Sequence, residues 1–166
     1  MSVSSLPLKA VETDFAVDSS GFSTCRFVRW YNKKYGREID NREWVKVHLM
    51  CGVQTHIVSS VEVSGWAAND TTYFAPLVQT TADNFRITDV SADKAYLSRA
   101  NLELVERMGG PPFVPFKINS VEPHDDSAWT RMYHYFAYNR ETFLTHYHQR
   151  SNVETIFSMA LCVNMR

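Results

Sequence analysis

The sequence is poor in cysteine, nearly balanced in charge and free of long apolar runs, and each lack excludes a class of protein. Its three cysteines are odd in number and form no Cys-x-x-Cys motif, which argues against a disulfide framework or a zinc site. The formal net charge is −1, so a nucleic acid could be bound only by a local basic patch. No stretch approaches the roughly 20 apolar residues of a membrane span, and the N-terminus lacks the features of a signal peptide. We therefore expect a soluble cytoplasmic protein without a membrane partner.

The length of 166 residues is enough for one domain with a sizeable core and too short for two. A hydrophobic fraction of 45% and a charged fraction of 21% are ordinary for a globular chain. Residues 1–12 look like an irregular lead-in, and no repeat or linker divides residues 13–166. The sequence therefore predicts a lead-in followed by one domain.

The pattern of apolar residues predicts the order strand, strand, strand, helix, strand, helix, strand, helix. Strands are predicted at residues 15–18, 45–50, 56–63, 87–93 and 113–118, and helices at 71–80, 98–108 and from 127 almost to the end. Ser19-Ser20-Gly21 should end the first strand, and Pro115 should place the last at a sheet edge. Pro76 should confine the first helix to its early turns or delay its start.

Short turns between the first three strands favour an antiparallel meander, and helices between the later strands favour parallel crossovers. This order predicts an α/β fold of the ribonuclease H-like type, with flanking helices on a mixed five-stranded sheet. In that fold the first and fourth strands are neighbours, so residues at their ends come close together.

Three carboxylates fall where such a fold would bring them together. Asp18 ends the first predicted strand, Asp93 ends the fourth, and Glu154 lies on the last helix. Carboxylate oxygens suit Mg²⁺ or Mn²⁺, and two such ions about 4 Å apart can drive an in-line phosphoryl displacement. Taken singly, Asp18 could start a turn and Asp93 could cap the next helix. On the residues alone, Asp14 and Asp89 compete with them.

Tyr147, Arg150 and Glu154 stand at positions i, i+3 and i+7 of the last predicted helix. That spacing places a hydroxyl, a guanidinium and a carboxylate on one helix face. The alternative is a solvated face with a chance Arg–Glu pair.

Together these motifs resemble the DDE-type transposases of bacterial insertion sequences, whose catalytic domain is ribonuclease H-like. The resemblance runs from residue 17 to about residue 159. It rests on Val-Asp-Ser-Ser-Gly-Phe at 17–22, Trp-Val-Lys-Val-His at 44–48, Ala-Asp-Lys-Ala-Tyr at 92–96, and Phe-Val-Pro-Phe-Lys at 113–117 with Asn119. The third segment favours Asp93 over Asp89. Tyr147, Arg150 and Glu154 fit the family's Tyr-x2-Arg-x3-Glu-x6-Lys signature.

The resemblance implies that Asp18, Asp93 and Glu154 hold two Mg²⁺ or Mn²⁺ ions, and that Tyr147 and Arg150 contact phosphates of the transposon end. It implies metal-dependent cleavage of double-stranded DNA at terminal inverted repeats, followed by strand transfer of the freed 3′-hydroxyl to target DNA. No covalent protein–DNA intermediate is required. The protein could form a homodimer, and it would lie at the bacterial nucleoid when bound to DNA.

One position departs from the signature, because Leu161 stands where lysine is expected. Residues 160–166 no longer resemble the family, which suggests a chain truncated at its C-terminus, and the 17 residues before Asp18 are too few for the family's N-terminal DNA-binding region. The alternative function is therefore a catalytically inactive remnant that binds DNA or intact transposase. A third reading is a stand-alone ribonuclease H-like nuclease.

Residues 26–46 form a locally basic segment with interleaved aromatic residues, which predicts a surface that follows a phosphate backbone. The DNA-binding candidates in this segment are Lys33, Lys34, Arg42 and Lys46. The alternative is a solvated hairpin with aromatic side chains packed on the sheet.

Five other residues have ordinary explanations. Trp66 could contact a base, but a half-buried position at a rim is favoured, and Asp70 is explained by helix capping. His146 and His148 diverge on a helix, so both are expected to be surface or packing residues. His48 is expected to be structural.

Overall fold

The computed structural model describes residues 6–23, 34, 44–122 and 124–163. The strands in this part are β1 (Asp14–Ser23), β2 (Trp44–Gly52), β3 (Val58–Gly65), β4 (Asp89–Ala92) and β5 (Pro112–Phe113). The α-helices in the same ranges are α1 (Asp70–Ala82), α2 (Arg99–Arg107), α3 (Ala128–Tyr138), α4 (Arg140–Tyr147) and α5 (Ser151–Val163). Single 3₁₀ turns of the described residues lie at Leu6–Leu8, Lys94–Tyr96 and His148–Arg150.

The five strands form one sheet in the order β3-β2-β1-β4-β5. β1, β2 and β3 pair antiparallel, whereas β4 runs parallel to β1 and β5 runs parallel to β4. The predicted fold class is confirmed: the protein is α/β, with flanking helices on a mixed five-stranded sheet of the ribonuclease H-like type. The expected contact between the first and fourth strands is present.

The prediction that β1 stops at Ser19 was wrong, because the strand continues to Ser23. Ser20, Gly21 and Phe22 lie opposite Val47, Lys46 and Val45 of β2 and extend the ladder. Pairing with a long neighbour outweighs the weak strand preference of serine and glycine. Asp18 therefore lies in the middle of β1, rather than at its end.

The prediction about Pro76 was also wrong, since α1 runs through it to Ala82. Proline costs the helix one backbone hydrogen bond. Phe74, Leu77 and Val78 are fully buried on either side of it, and burying such side chains stabilises the fold by about 1.5–3 kcal/mol each. Packing on the sheet therefore keeps the helix intact across the proline.

The C-terminal third departs from prediction in its boundaries. β5 is a two-residue edge strand that ends before Pro115, so the sheet-edge position is confirmed and the predicted length is wrong. The helical run from Ser127 is divided at Asn139 and again by the turn at His148–Arg150. The run thus comprises α3, α4 and α5.

Each face of the sheet has its own core. On one face Phe15, Val17 and Ala92 pack with α1, α2 and residues of α3 and α4. On the other face Ala16, Leu49 and Cys51 pack with Val153, Ile156 and Phe157 of α5. Helix α5 therefore lies against the face of β1 from which Asp18 projects. Within the described ranges, no helix is long and apolar enough to cross a membrane.

Candidate active site

The site begins where β1 and β4 separate. The last residue pair of their parallel ladder is Val17 with Ala92, and Asp18 and Asp93 each follow directly. Because side chains alternate along a strand, the two carboxylates leave the core that contains Val17 and Ala92 and point to the α5 side. The neighbouring strands thus bring together two carboxylates that are 75 positions apart in the sequence.

Arg150 connects Asp18 to Glu154. Its Nη1 donates a hydrogen bond of 2.6 Å to Asp18 Oδ2, and its Nη2 lies 3.1 Å from Glu154 Oε1. Tyr147 makes a longer contact of 3.5 Å from its hydroxyl to Asp93 Oδ1, and its ring centre lies 5.7 Å from the Arg150 guanidinium carbon. The structure therefore brings together all five of these predicted site residues.

The spacing predicted that Tyr147, Arg150 and Glu154 lie on one regular helix, and this prediction was wrong. Tyr147 ends α4, Arg150 closes the 3₁₀ turn, and Glu154 lies in the first turn of α5. Tyr147 itself has φ −57° and ψ −40°, and His148 has φ −66° and ψ −14°, so the backbone stays close to helical across the junction. The side chains consequently still face one region.

The carboxylates interact electrostatically with one another. Burial raises the pKa of Asp18, and the negative charges of Asp93 and Glu154 raise it further. The Ser19 backbone N–H, which donates to Asp18 Oδ1 at 2.9 Å, and the Arg150 charge oppose this shift. For Arg150, burial works to lower the pKa, but the surrounding negative charges outweigh it and raise the pKa. The guanidinium is therefore held as the counter-charge of this cluster.

The donor chemistry of the cluster fits a divalent ion, since carboxylate oxygens are the ligands that Mg²⁺ and Mn²⁺ prefer. Within the described ranges, no group of three or more His, Cys, Asp or Glu residues is arranged to hold a metal as it stands. In this arrangement Arg150 is bonded to two of the three carboxylates. The Glu154 side chain is 59% exposed and so has room to turn.

A second polar cluster, which sequence reasoning missed, lies on the opposite face of β1. Asp70 Oδ1 accepts a hydrogen bond of 3.2 Å from the Ser19 hydroxyl and lies 2.5 Å from Lys46 Nζ. The capping explanation for Asp70 was wrong, because Asn69 caps α1 by accepting from the Thr71 N–H. The sequence does carry a signal for this second cluster, because Asn69 and Asp70 are both residue types that cap helices. Only one of them can occupy the cap, so the other must point elsewhere.

His48 lies at the base of this second cluster and is fully buried. Its Nε2 lies 2.9 Å from the Ser64 hydroxyl, and its ring stacks on Tyr73 with the centres 4.4 Å apart. Burial lowers the pKa of His48, which favours the neutral ring. The contacts agree with the predicted structural role.

The DNA-binding candidates outside the signature are only partly described. Lys46 is bonded to Asp70, Lys34 is exposed, and Lys33 and Arg42 lie outside the described residues. Trp66 is 71% exposed, so the prediction of a half-buried tryptophan was wrong. Among the described residues, Lys46 and Trp66 line an open groove of about 520 Å³ together with Gly21 and Trp44.

Asp89 and Asp14, the competing carboxylates, lie at the far end of the β1–β4 ladder, where they face each other in register. Asp14 accepts a hydrogen bond of 2.6 Å from the Thr88 hydroxyl. Asp89 Oδ2 lies 2.6 Å from Nδ1 of His146, whose ring stacks on Phe113 at 4.2 Å. This agrees with a packing role for His146, and His148 is exposed.

The buried Asp89 should make stability depend on pH. Burial raises its pKa from 3.8 to about 6, although the His146 hydrogen bond opposes the shift. The folded state therefore holds a proton that the unfolded state releases, so this contribution is complete below about pH 4 and is lost as pH rises through about 6. Between these values the unfolding free energy of the wild type should fall relative to Asp89→Asn, by about 3 kcal/mol.

Urea denaturation at several pH values measures this difference. The matched control is Asp83→Asn, which makes the same chemical change at an exposed residue at the end of α1. Parallel pH curves for the wild type and Asp89→Asn would show that Asp89 titrates normally and contradict the prediction.

The family model described as the transposase DDE domain matches residues 9–161, which is nearly the whole chain. Neither the curated proteins nor the solved structures gave a match.

Proposed function

Since the chain belongs to the transposase DDE domain family, we propose that it cleaves DNA at the ends of a bacterial insertion sequence and transfers the freed 3′-hydroxyl to target DNA. The observation that carries the proposal is the convergence of Asp18, Asp93 and Glu154 beside the end of β4. Three carboxylates from separate parts of the chain have no evident packing role there. Their mutual repulsion is a cost that a bound cation would relieve.

In this proposal Asp18, Asp93 and Glu154 hold two Mg²⁺ or Mn²⁺ ions. Bound there, such ions would supply activation of a water or a 3′-hydroxyl and stabilisation of the leaving oxygen. Asp18 comes from the middle of a paired strand and Asp93 directly follows another, so the sheet fixes both carboxylates. The Tyr147 hydroxyl lies 3.5 Å from Asp93 Oδ1.

The DNA would be held by cationic and aromatic side chains on both faces of the sheet, one set beside the carboxylates and one on the face of the Asp70 cluster. Lys46, with Trp44 and Trp66 beside it, offers a charge and two stacking surfaces on one groove. Arg150 and Tyr147 would contact phosphates near the reacting bond, and Lys33, Lys34 and Arg42 are further DNA-binding residues of this proposal. A homodimer would present two such sites to the two terminal inverted repeats.

A second candidate function is a catalytically inactive DNA-binding protein, which could occupy transposon ends or associate with intact transposase. It is favoured by Leu161, which stands where the family signature has lysine. Only the first function needs the carboxylates to bind metal.

A Mn²⁺ titration followed by thermal denaturation tests the proposed site. Binding to the folded state alone stabilises a protein by about 2.7 kcal/mol at a hundredfold excess over Kd. We expect this stabilisation in the wild type and in the control Asp83→Asn, and its loss in the triple variant Asp18→Asn, Asp93→Asn, Glu154→Gln. Circular dichroism without metal checks that the triple variant is folded. An equal response of the folded triple variant and the wild type would contradict the proposal.

A further inference from the structure

Arg150 and a divalent ion would compete for the same carboxylates. The guanidinium is bonded to Asp18 Oδ2 at 2.6 Å and lies 3.1 Å from Glu154 Oε1. Both carboxylates belong to the proposed metal site, so each of these oxygens would have to serve two cations at once. Two positive charges within a few ångströms repel each other strongly in a partly buried site.

The surroundings of Arg150 allow it to leave. Its side chain is 22% exposed, and Glu154, its partner on the next helical turn, is 59% exposed. The ring of Tyr147 lies 5.7 Å from the guanidinium carbon and offers a surface along which the group can turn without losing all its contacts. A guanidinium has five N–H donors in a planar fork, which suits a phosphate as well as a carboxylate.

We infer that Arg150 couples metal loading to DNA binding by serving in turn as counter-charge to Asp18 and Glu154 and as ligand to a DNA phosphate. Without metal, Arg150 neutralises the two carboxylates and is withheld from DNA. When Asp18 and Glu154 exchange the guanidinium for a divalent cation, Arg150 is released to the phosphate backbone. Each ligand then strengthens the binding of the other, because coupling between two sites is reciprocal.

The inference rests on the proposed function, so its test begins with metal binding alone. Mn²⁺ affinity is measured by calorimetry, without DNA, for the wild type, Arg150→Gln and Arg150→Lys. Arg150→Gln removes the competing charge, so its Kd for Mn²⁺ should be about fivefold or more below that of the wild type. Fivefold is the lower end of the usual range for such coupling. Arg150→Lys keeps the charge without the fork and should fall between the other two.

The control is Arg99→Gln. Arg99 Nη1 lies 2.6 Å from Asp125 Oδ2, the same distance as in the Arg150–Asp18 pair, but both partners are exposed on the surface. Its replacement should leave Mn²⁺ affinity unchanged. Thermal denaturation without metal checks that every variant is folded.

A second measurement follows the reciprocal effect on DNA. Fluorescence anisotropy of a labelled duplex is recorded with and without Ca²⁺ at constant ionic strength, since Ca²⁺ shares the oxygen-ligand chemistry. Ca²⁺ should tighten DNA binding by about fivefold or more in the wild type and clearly less in Arg150→Gln. An equal Ca²⁺-dependent gain in DNA affinity in the wild type and Arg150→Gln would overturn the coupling.

The metal titration separates the failure of this inference from failure of the function. Equal or weaker Mn²⁺ binding by folded Arg150→Gln, beside a wild type that binds Mn²⁺, overturns the role of Arg150 and leaves the proposed metal site standing. Absence of Mn²⁺ binding in both proteins overturns the metal site and this inference together.

Discussion

Asp93→Asn should abolish metal-dependent DNA nicking while leaving the domain folded. Asparagine has the shape of aspartate and can still accept the hydrogen bond from Tyr147, but it lacks the negative charge that a divalent ion requires. Loss of a residue that merely orients a metal ligand costs about 10–100-fold in activity, so loss of a ligand should exceed a hundredfold. The initial rate of nicking of supercoiled plasmid in Mn²⁺ measures the effect.

The control for this experiment is again Asp83→Asn, which makes the same chemical change on an exposed residue. It should nick at the wild-type rate. Persistent nicking by Asp93→Asn would remove this carboxylate from the reaction. A wild type that binds duplex DNA without nicking it would favour the inactive DNA-binding protein, and preferential cleavage of an RNA–DNA hybrid would favour the nuclease.

Phe143→Ala should produce the largest loss of stability among the substitutions considered. The Phe143 ring is fully buried and lies within 5.3 Å of the ring of Phe113 and 5.0 Å of that of Phe136, centre to centre. Replacing a buried phenylalanine by alanine removes apolar area from the core and leaves a cavity, at a typical cost of 3–5 kcal/mol. Because a domain is usually stable by only about 5–15 kcal/mol, the urea midpoint should fall sharply.

The matched control is Val63→Ala, since Val63 is 62% exposed on β3. A surface substitution of this kind should change the unfolding free energy by no more than about 0.5 kcal/mol. A similarly small change for Phe143→Ala would mean that α4 contributes little to the core, in conflict with the aromatic contacts around β5.

The strand order could be predicted from the sequence, whereas several element boundaries could not. The order of strands and helices is a local signal, and the β1–β4 neighbourhood followed from its match to the ribonuclease H-like fold. The length of β1 depends on β2 offering partners to Ser20, Gly21 and Phe22, and this information lies far away in the chain. In the same way, the continuity of α1 through Pro76 depends on burial against the sheet, which outweighs the local cost.

The contacts within the site could likewise be predicted from the sequence only in part. The meeting of Asp18, Asp93 and Glu154 follows from strand order together with the spacing of one motif. The partner of Arg150 does not, because a guanidinium bonds equally well to a carboxylate of its own chain and to a phosphate of a ligand. Asp70 was missed because its sequence context is fully explained by a helix cap, which Asn69 in fact provides.

Asp18 and Ser19 are adjacent in the sequence but serve opposite faces of the sheet. One bonds to Arg150 beside α5, and the other bonds to Asp70 beside α1. A slip of β1 by one residue would exchange the two side chains between the faces, leaving a hydroxyl among the proposed metal ligands and a carboxylate against Asp70. The nine residue pairs between β1 and β2 oppose such a slip. Correct pairing of these two strands is therefore a condition for the proposed metal site to form.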